Sequence, residues 1–357
     1  MWLARLLPPE TAHDVALYGL AWVPQLRGSK KDEPPLRQQL WGRSVSNPIG
    51  LAAGLDKDAV AVAGLARLGF GVVEIGSVTP RPQPGNPKPR LFRLAEDQAV
   101  INRMGFNSAG HEVVFRRLDR YRAKAGNTGP LIGVNLGKNR ESEDPAADYA
   151  AGVVRFSGVA DYLVVNISSP NTPGLRSLQS AEPLRLLLDR LAEARGRGGL
   201  RPPLLLKLAP DLSGEERAII AETAIAYAVD GLVVSNTTIT RPPELHSRHR
   251  TQSGGLSGRP LFALSTGVLA DFARLTQGRL TLIGVGGVAS GADVYAKIRA
   301  GASLVQLYTA LIYDGPGLVR RIKAELAALL ARDGYGSVTA TIASGLTAAS
   351  TARVRAL

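Results

Sequence analysis

The feature that most constrains the fold is a rhythm. From Ser46 onward, short β-branched or Leu-rich runs recur at residues 48–51, 72–75, 131–134, 162–165, 204–206, 232–234, 282–285 and Leu304–Leu307, eight in all. Between them lie stretches with helical spacing of apolar residues, such as Leu184, Leu187, Leu188 and Leu191, or Ile219, Ile220, Thr223 and Ala224. Continuous apolar runs imply strands buried on both faces, and therefore a parallel sheet covered by helices. Eight strand–helix units fit a closed (β/α)8 barrel better than an open doubly wound sheet.

The residues at the end of each run point the same way. The runs end in Ala53-Gly54, Gly76-Ser77, Asn135, Asn166, Lys207, Ser235-Asn236, Gly286-Gly287 and Tyr308-Thr309. In such a barrel all of these share the rim where active sites are built. Turns and caps explain a Gly or a Ser here and there; they do not explain small or polar residues after every strand. Gly286-Gly287 after the seventh strand, with Gly291 opening the next helix, suits a phosphate held by backbone amides. Leu91–Leu94 and Ala99–Asn102 interrupt the alternation and read as an extra hairpin between the second and third units. Long insertions of this kind commonly serve a site.

Composition removes several classes of chemistry. The 357 residues include no cysteine, which excludes disulfides, thiolate nucleophiles and cysteine-ligated metal centres. Four histidines, at positions 13, 111, 246 and 249, form no metal-binding spacing, so no metal is expected. The net charge of +13 invites a nucleic-acid reading, but basic residues are nowhere interleaved with aromatics and no nucleic-acid motif occurs. A basic balance equally suits anionic substrates or anionic lipid headgroups. The best apolar window, residues 15–23, is too short to span a membrane.

Three segments carry hydrogen-bonding or charged groups at the rim. Residues 166–176, NISSPNTPGLR, hold two prolines and a glycine, so they form a shaped loop that offers Asn166, Ser168, Ser169, Asn171 and Thr172. An ordinary Asn/Ser/Pro turn is the plain alternative. Lys57 stands beside Asp56 and Asp58 and could simply pair with them, whereas Lys207 has no adjacent acid and favours an anionic ligand.

At this point the chain resembles a known family. AAGLDKD at 52–58, NRMGFNS at 102–108, GVNLGKN at 133–139, the NISSPNTPGLR loop, LKLAPDL at 206–212, SNTT at 235–238, GGLSGRP at 254–260, GVGGV at 284–288 and LVQLYT at 304–309 are similar to dihydroorotate dehydrogenases, in the family's order. Residues 1–26 resemble the extension of the membrane-associated, quinone-dependent class. The resemblance implies a barrel holding FMN, with dihydroorotate oxidised to orotate beside it and a membrane quinone, ubiquinone or menaquinone, as final acceptor. Matched motifs assign the flavin to Ala53, Gly54, Leu55, Asp56, Lys57, Ser77, Asn135, Asn166, Lys207, Ser235, Gly258, Gly287, Tyr308 and Thr309. They assign the pyrimidine to Lys57, Asn102, Arg103, Met104, Gly105, Phe106, Asn107, Asn166, Asn171, Asn236 and Thr237, and the catalytic base to Ser169. Ser108 departs from the family, where a second Asn is expected.

The resemblance also gives the missing cysteine a meaning. The soluble class uses Cys as base, and one branch passes electrons to an iron–sulfur partner subunit; neither suits this chain, which leaves quinone. The expected organisation is an N-terminal segment over 1–40, a barrel over 41–335 and a tail over 336–357. In the first segment, Pro8-Pro9 separates Trp2, Leu3, Leu6 and Leu7 from an amphipathic helix carrying Val15, Tyr18, Trp22 and Leu26 on one side. Such a helix is either barrel cover or, with Arg27, Lys30 and Lys31 following, a peripheral anchor on the cytoplasmic side of the cell membrane. His13 reads as a capping or surface residue from its neighbours, and as a residue near the quinone tunnel from the resemblance. Two rivals remain: an FMN barrel acting on another small acid, and a non-catalytic phosphate-binding barrel docked on membranes.

Overall fold

The computed structural model describes residues 7–22, 32–126, 128–197 and 199–346. All eight expected runs form barrel strands: β1 (Ile49–Leu51), β2 (Val72–Val78), β3 (Leu131–Leu136), β4 (Tyr162–Asn166), β5 (Leu204–Leu208), β6 (Gly231–Val234), β7 (Thr281–Val285) and β8 (Leu304–Leu307). Each pairs in parallel with the next, and β8 closes onto β1. Helices follow the strands and cover the outside, so the fold is a (β/α)8 barrel.

The strand alternation of period two sorts side chains into two shells. Val73, Ile75, Leu163, Val165, Leu206 and Leu232 face the helices in the large outer core. Val72, Leu131, Tyr162, Val164, Leu205, Val233, Ile283 and Leu304 face inward and form a second cluster. On the inward face, apolar residues at the strand starts give way to Glu74, Asn135, Lys207 and Gln306, which are all buried and joined to one another around Glu74. Gly133 makes room for this layer: a Cβ there would lie 2.2 Å from the Tyr162 ring.

Two appendages close the barrel ends. A hairpin of Gln38–Leu40 and Arg43–Val45, not expected from the sequence, puts Leu40 and Val45 into the inner cluster, with Trp41 5.3 Å from Tyr162 between ring centroids. It plugs the N-terminal mouth. Over the opposite rim, Leu91–Leu94 and Ala99–Asn102 pair as expected, and a third strand, Gly255–Gly258, joins them from the loop after β6. Residues before and after the barrel also pack against it and meet each other. Leu36 is buried, the Val338 amide donates to the Pro35 carbonyl at 2.8 Å, and Val338 and Thr341 are buried.

The N-terminal helix (Pro9–Trp22) lies against the barrel through Leu17 and Leu20. Val15, Tyr18 and Trp22 share its outer side and are 54%, 57% and 81% exposed. Leu26 and the basic residues after it, with Trp2, Leu3 and Leu6, lie outside the described residues. Glu10 fixes the helix start, pairing with Arg90 at 2.8 Å and Lys88 at 3.3 Å. Gly64, on the helix after β1 (Val62–Arg67), lets the two helices touch backbone to backbone, since a Cβ there would lie 2.2 Å from the Leu20 carbonyl oxygen. Gly64→Ala should therefore weaken docking of residues 9–22 by about 1–3 kcal/mol while leaving the barrel folded. Limited proteolysis checks this: cleavage inside 9–22 should accelerate, and the barrel's melting should stay cooperative.

Candidate active site

A cavity of about 1460 Å³, counted with its open mouth, lies above the C-terminal ends of the strands. Every barrel strand or the loop after it, β3 excepted, supplies lining: Ala53, Gly54 and Lys57 after β1, Ser77 in β2, Asn166, Ser169 and Asn171 from β4, Lys207 in β5, Ser235, Asn236 and Thr237 after β6, Gly286 and Gly287 after β7, and Tyr308 and Thr309 after β8. The hairpin and the chain after it add Asn102, Met104, Gly105 and Phe106, and the third strand adds Gly258.

Five expected residues stand back from the cavity. Asp56 turns its buried carboxylate to the amides of Val60 and Ala61, each at 2.8 Å, and burial pushes its pKa up. Leu55 packs on the outer core. Arg103 donates to Gln252 at 3.0 Å and stacks 4.6 Å from the Phe92 ring centroid, so it braces the hairpin from outside. The buried Oδ1 of Asn107 has no hydrogen-bond partner among the described residues. Asn135 lies one layer down, in the floor.

That floor hangs on Glu74, fully buried. Its carboxylate accepts from Asn135 at 2.9 Å, Gln306 at 2.7 Å and Tyr162 at 3.1 Å, and stands 3.9 Å from the Lys207 ammonium. Lys207, which has no acid beside it in the sequence, thus finds one across the barrel. Burial pushes its pKa down and Glu74 opposes the shift. From the floor the network climbs. Ser77 donates to Asn135, Asn166 donates to Ser77 at 2.9 Å, and Asn236 donates to Asn166 at 3.2 Å.

The loop after β4 divides its two serines. Ser168 is fully buried and tied to Asn166 and Asn236, at 3.1 and 3.0 Å. Ser169 faces the cavity, its Oγ accepting from the Asn171 amide at 3.3 Å. Asn171 donates to the Asn102 carbonyl at 3.1 Å, joining this loop to the hairpin. Arg176 clamps the loop to its neighbours. It donates to the carbonyls of Ser168 and Thr237, both at 3.1 Å, and pairs with Asp211 at 2.8 Å.

Two further groups face the mouth. Lys57 donates to the Gly54 carbonyl at 2.9 Å, and burial pushes its pKa down to about 8 against the pull of Asp58. His13, on the N-terminal helix, lies 3.2 Å from the Tyr308 hydroxyl; burial and then the Lys57 charge push it down to about 4, so its imidazole is neutral near pH 7.

The family model for dihydroorotate dehydrogenase matches residues 35–330. The chain belongs to the dihydroorotate dehydrogenase family. Among its relatives, a dihydroorotate dehydrogenase (quinone) of Rhodospirillum rubrum is 53% identical over 338 residues, covering 94% of this chain and 91% of that protein. A mitochondrial one of Mus musculus is 50% identical over 345 residues, covering 95% and 87%. The crystal structure of the Eimeria tenella enzyme in complex with ferulenol superposes with a TM-score of 0.91 at 41% identity, covering 95% of this chain and 98% of that one.

Glu74 and Arg176 hold the cavity's floor and loops from behind, and the sequence alone did not single them out. Glu74 was visible as the lone acid inside an apolar run, VVEIGSV; nothing in the sequence pairs it with Lys207 from across the barrel. No helix among the described residues is long and apolar enough to cross a membrane, and no cluster of three or more potential metal ligands occurs among them. Removing one partner of a buried ion pair strands the other. Glu74→Gln should therefore lower stability by about 3–5 kcal/mol, read by urea unfolding. Lys207→Met in the same chain should return part of that loss, whereas additive losses would show that the two groups are uncoupled.

Proposed function

We propose that this chain oxidises dihydroorotate to orotate with FMN as the immediate hydride acceptor and a membrane quinone as the final one, a step in pyrimidine synthesis. The observation that carries the reading is the cavity itself, which gathers Ser169, four Asn side chains, Lys57 and Lys207 on one rim in a chain of this family. The residues fit FMN. Gly286 and Gly287 both have positive φ, +111° and +76°, so the loop after β7 presents backbone in a conformation open to glycine, close to where a phosphate is bound in such barrels. When bound, FMN supplies the hydride acceptor and returns both electrons to the quinone.

The chain's own groups do the rest. Asn102, Asn166, Asn171 and Asn236 offer donors and acceptors that match the amide-like edges of the pyrimidine. The Lys57 ammonium meets the substrate carboxylate. Lys207, held by Glu74, offers positive charge where a reduced flavin gathers negative charge. Ser169 takes the proton from C5 while the hydride leaves C6. A serine is an intrinsically poor base, so its proton must move on. Thr172, whose buried hydroxyl lacks a partner among the described residues, stands in the same loop for that purpose.

Quinone access follows from the N-terminal helix. Its outer side presents Val15, Tyr18 and Trp22 to a bilayer surface, while His13 on the same helix reaches the cavity at Tyr308. This arrangement suits a peripheral enzyme on the cytoplasmic side of the cell membrane, reducing ubiquinone or menaquinone without an iron–sulfur subunit or nucleic acid.

The direct test is colour. The purified protein should be yellow, dihydroorotate should bleach it without oxygen, and a quinone should restore it where NAD does not. Restoration by NAD alone, or a colourless protein, would overturn the reading. Ser169→Ala should slow flavin reduction by dihydroorotate roughly 10²–10⁴-fold, with orotate affinity little changed because the Asn side chains and Lys57 hold the ring. Stopped-flow absorbance measures the first and a flavin-fluorescence titration with orotate the second. An unchanged reduction rate would place the base elsewhere.

A further inference from the structure

Lys297 is fully buried, yet among the described residues it has no carboxylate within ion-pair distance. A buried ammonium of that kind is costly unless an anion lies near. It sits on the helix after β7 (Gly291–Arg299), and its stem runs against the outer side of that strand. Gly284 makes the room, since a Cβ there would lie 3.1 Å from Lys297 Cδ.

The ammonium donates to two hydroxyls, Ser265 at 2.9 Å and Thr266 at 3.1 Å, and stands 5.2 Å from the Phe262 ring centroid. Thr266 spends its own proton on the Phe262 carbonyl at 2.7 Å. The Ser265 hydroxyl lies within donating distance of two carbonyls, Gly286 at 3.1 Å and Phe262 at 3.2 Å; with Thr266 already on the Phe262 carbonyl, Gly286 is the acceptor left open to it. That carbonyl belongs to the same peptide group as the Gly287 amide, and Gly287 lines the cavity. A hydrogen bond that pulls on a peptide oxygen makes the N–H of the same peptide a stronger donor, more so when the chain of bonds starts from a cation.

We infer that Lys297 is a positioning residue for the phosphate end of the cofactor, a cation behind the loop that acts through Ser265 on the Gly286–Gly287 peptide. The inference rests on the FMN reading given above. It gives the buried charge its missing counterion: a phosphate in front of the loop, with one peptide and one hydroxyl between. Burial pushes the Lys297 pKa down to about 7, with Asp293 opposing, and the Asp293 carboxylate is itself engaged at the Ala289 amide at 2.9 Å. An anion across the loop restores the charged form.

The test compares release of FMN with release of riboflavin, which has the same ring system and no phosphate. Full-length holoenzyme is diluted and free flavin followed by its fluorescence. Lys297→Met should release FMN about 10- to 100-fold faster than the parent, the range expected for losing a hydrogen bond assisted by a charge. Ser265→Ala should shift release the same way by a smaller factor. After exchange into riboflavin, parent and variants should release it at one rate. Release of FMN at the parent rate by both variants overturns the inference, as does equal acceleration of FMN and riboflavin. If Lys297→Met does not fold, Ser265→Ala decides, because it keeps the amine and removes only the relay. A parent protein that holds no FMN would instead overturn the cofactor reading.

Discussion

A carboxylate with no exposure must be surrounded by donors or neutralised, because an unpaired charge in such a place costs several kcal/mol. Glu74 meets that demand with side chains from four other barrel strands: Asn135 of β3, Tyr162 of β4, Lys207 of β5 and Gln306 of β8. The requirement works in both directions. Each of those side chains is itself buried and polar, so none is satisfied unless the barrel closes in the right register. The floor of the cavity and the closure of the sheet thus depend on one carboxylate.

Everything above the floor inherits its position. Asn135 reaches down to Glu74 and up to Ser77; Ser77 and Asn135 orient Asn166; Asn166 and Ser168 orient Asn236. A side chain held at two points loses its alternative rotamers before a ligand arrives, which reduces the entropy lost on binding. Arg176 extends this control from side chains to loops by tying together the backbones after β4 and β6. Ser169 is left as the serine of its loop with its hydroxyl toward the cavity, since Ser168 is consumed by the network.

Three lysines on or behind the rim are held in three different ways. Lys207 has a carboxylate, Lys57 has a carbonyl and an open cavity in front of it, and Lys297 has two hydroxyls and the face of a ring. The basic excess of the chain, ambiguous as a total, is informative where it is buried.

The sequence by itself determined the barrel, because parallel strands buried on both faces leave continuous apolar runs and the helices between them leave their own period. It also determined which residues come after the strands, and hence the part of the cavity lining that the barrel itself supplies, since chain order alone puts those positions on one rim. The tertiary structure decided what lies next to what. The partnership of Glu74 with Lys207 joins residues 133 positions apart across the barrel interior, and the bond from His13 to Tyr308 spans most of the chain. The hold of Asn236 on Ser168 and the plug formed by the hairpin at residues 38–45 have the same origin. A linear pattern records which face of its own element a residue takes, because that comes from local periodicity. It holds no record of a partner on a distant strand, because the register that brings them together is set by closing the whole sheet.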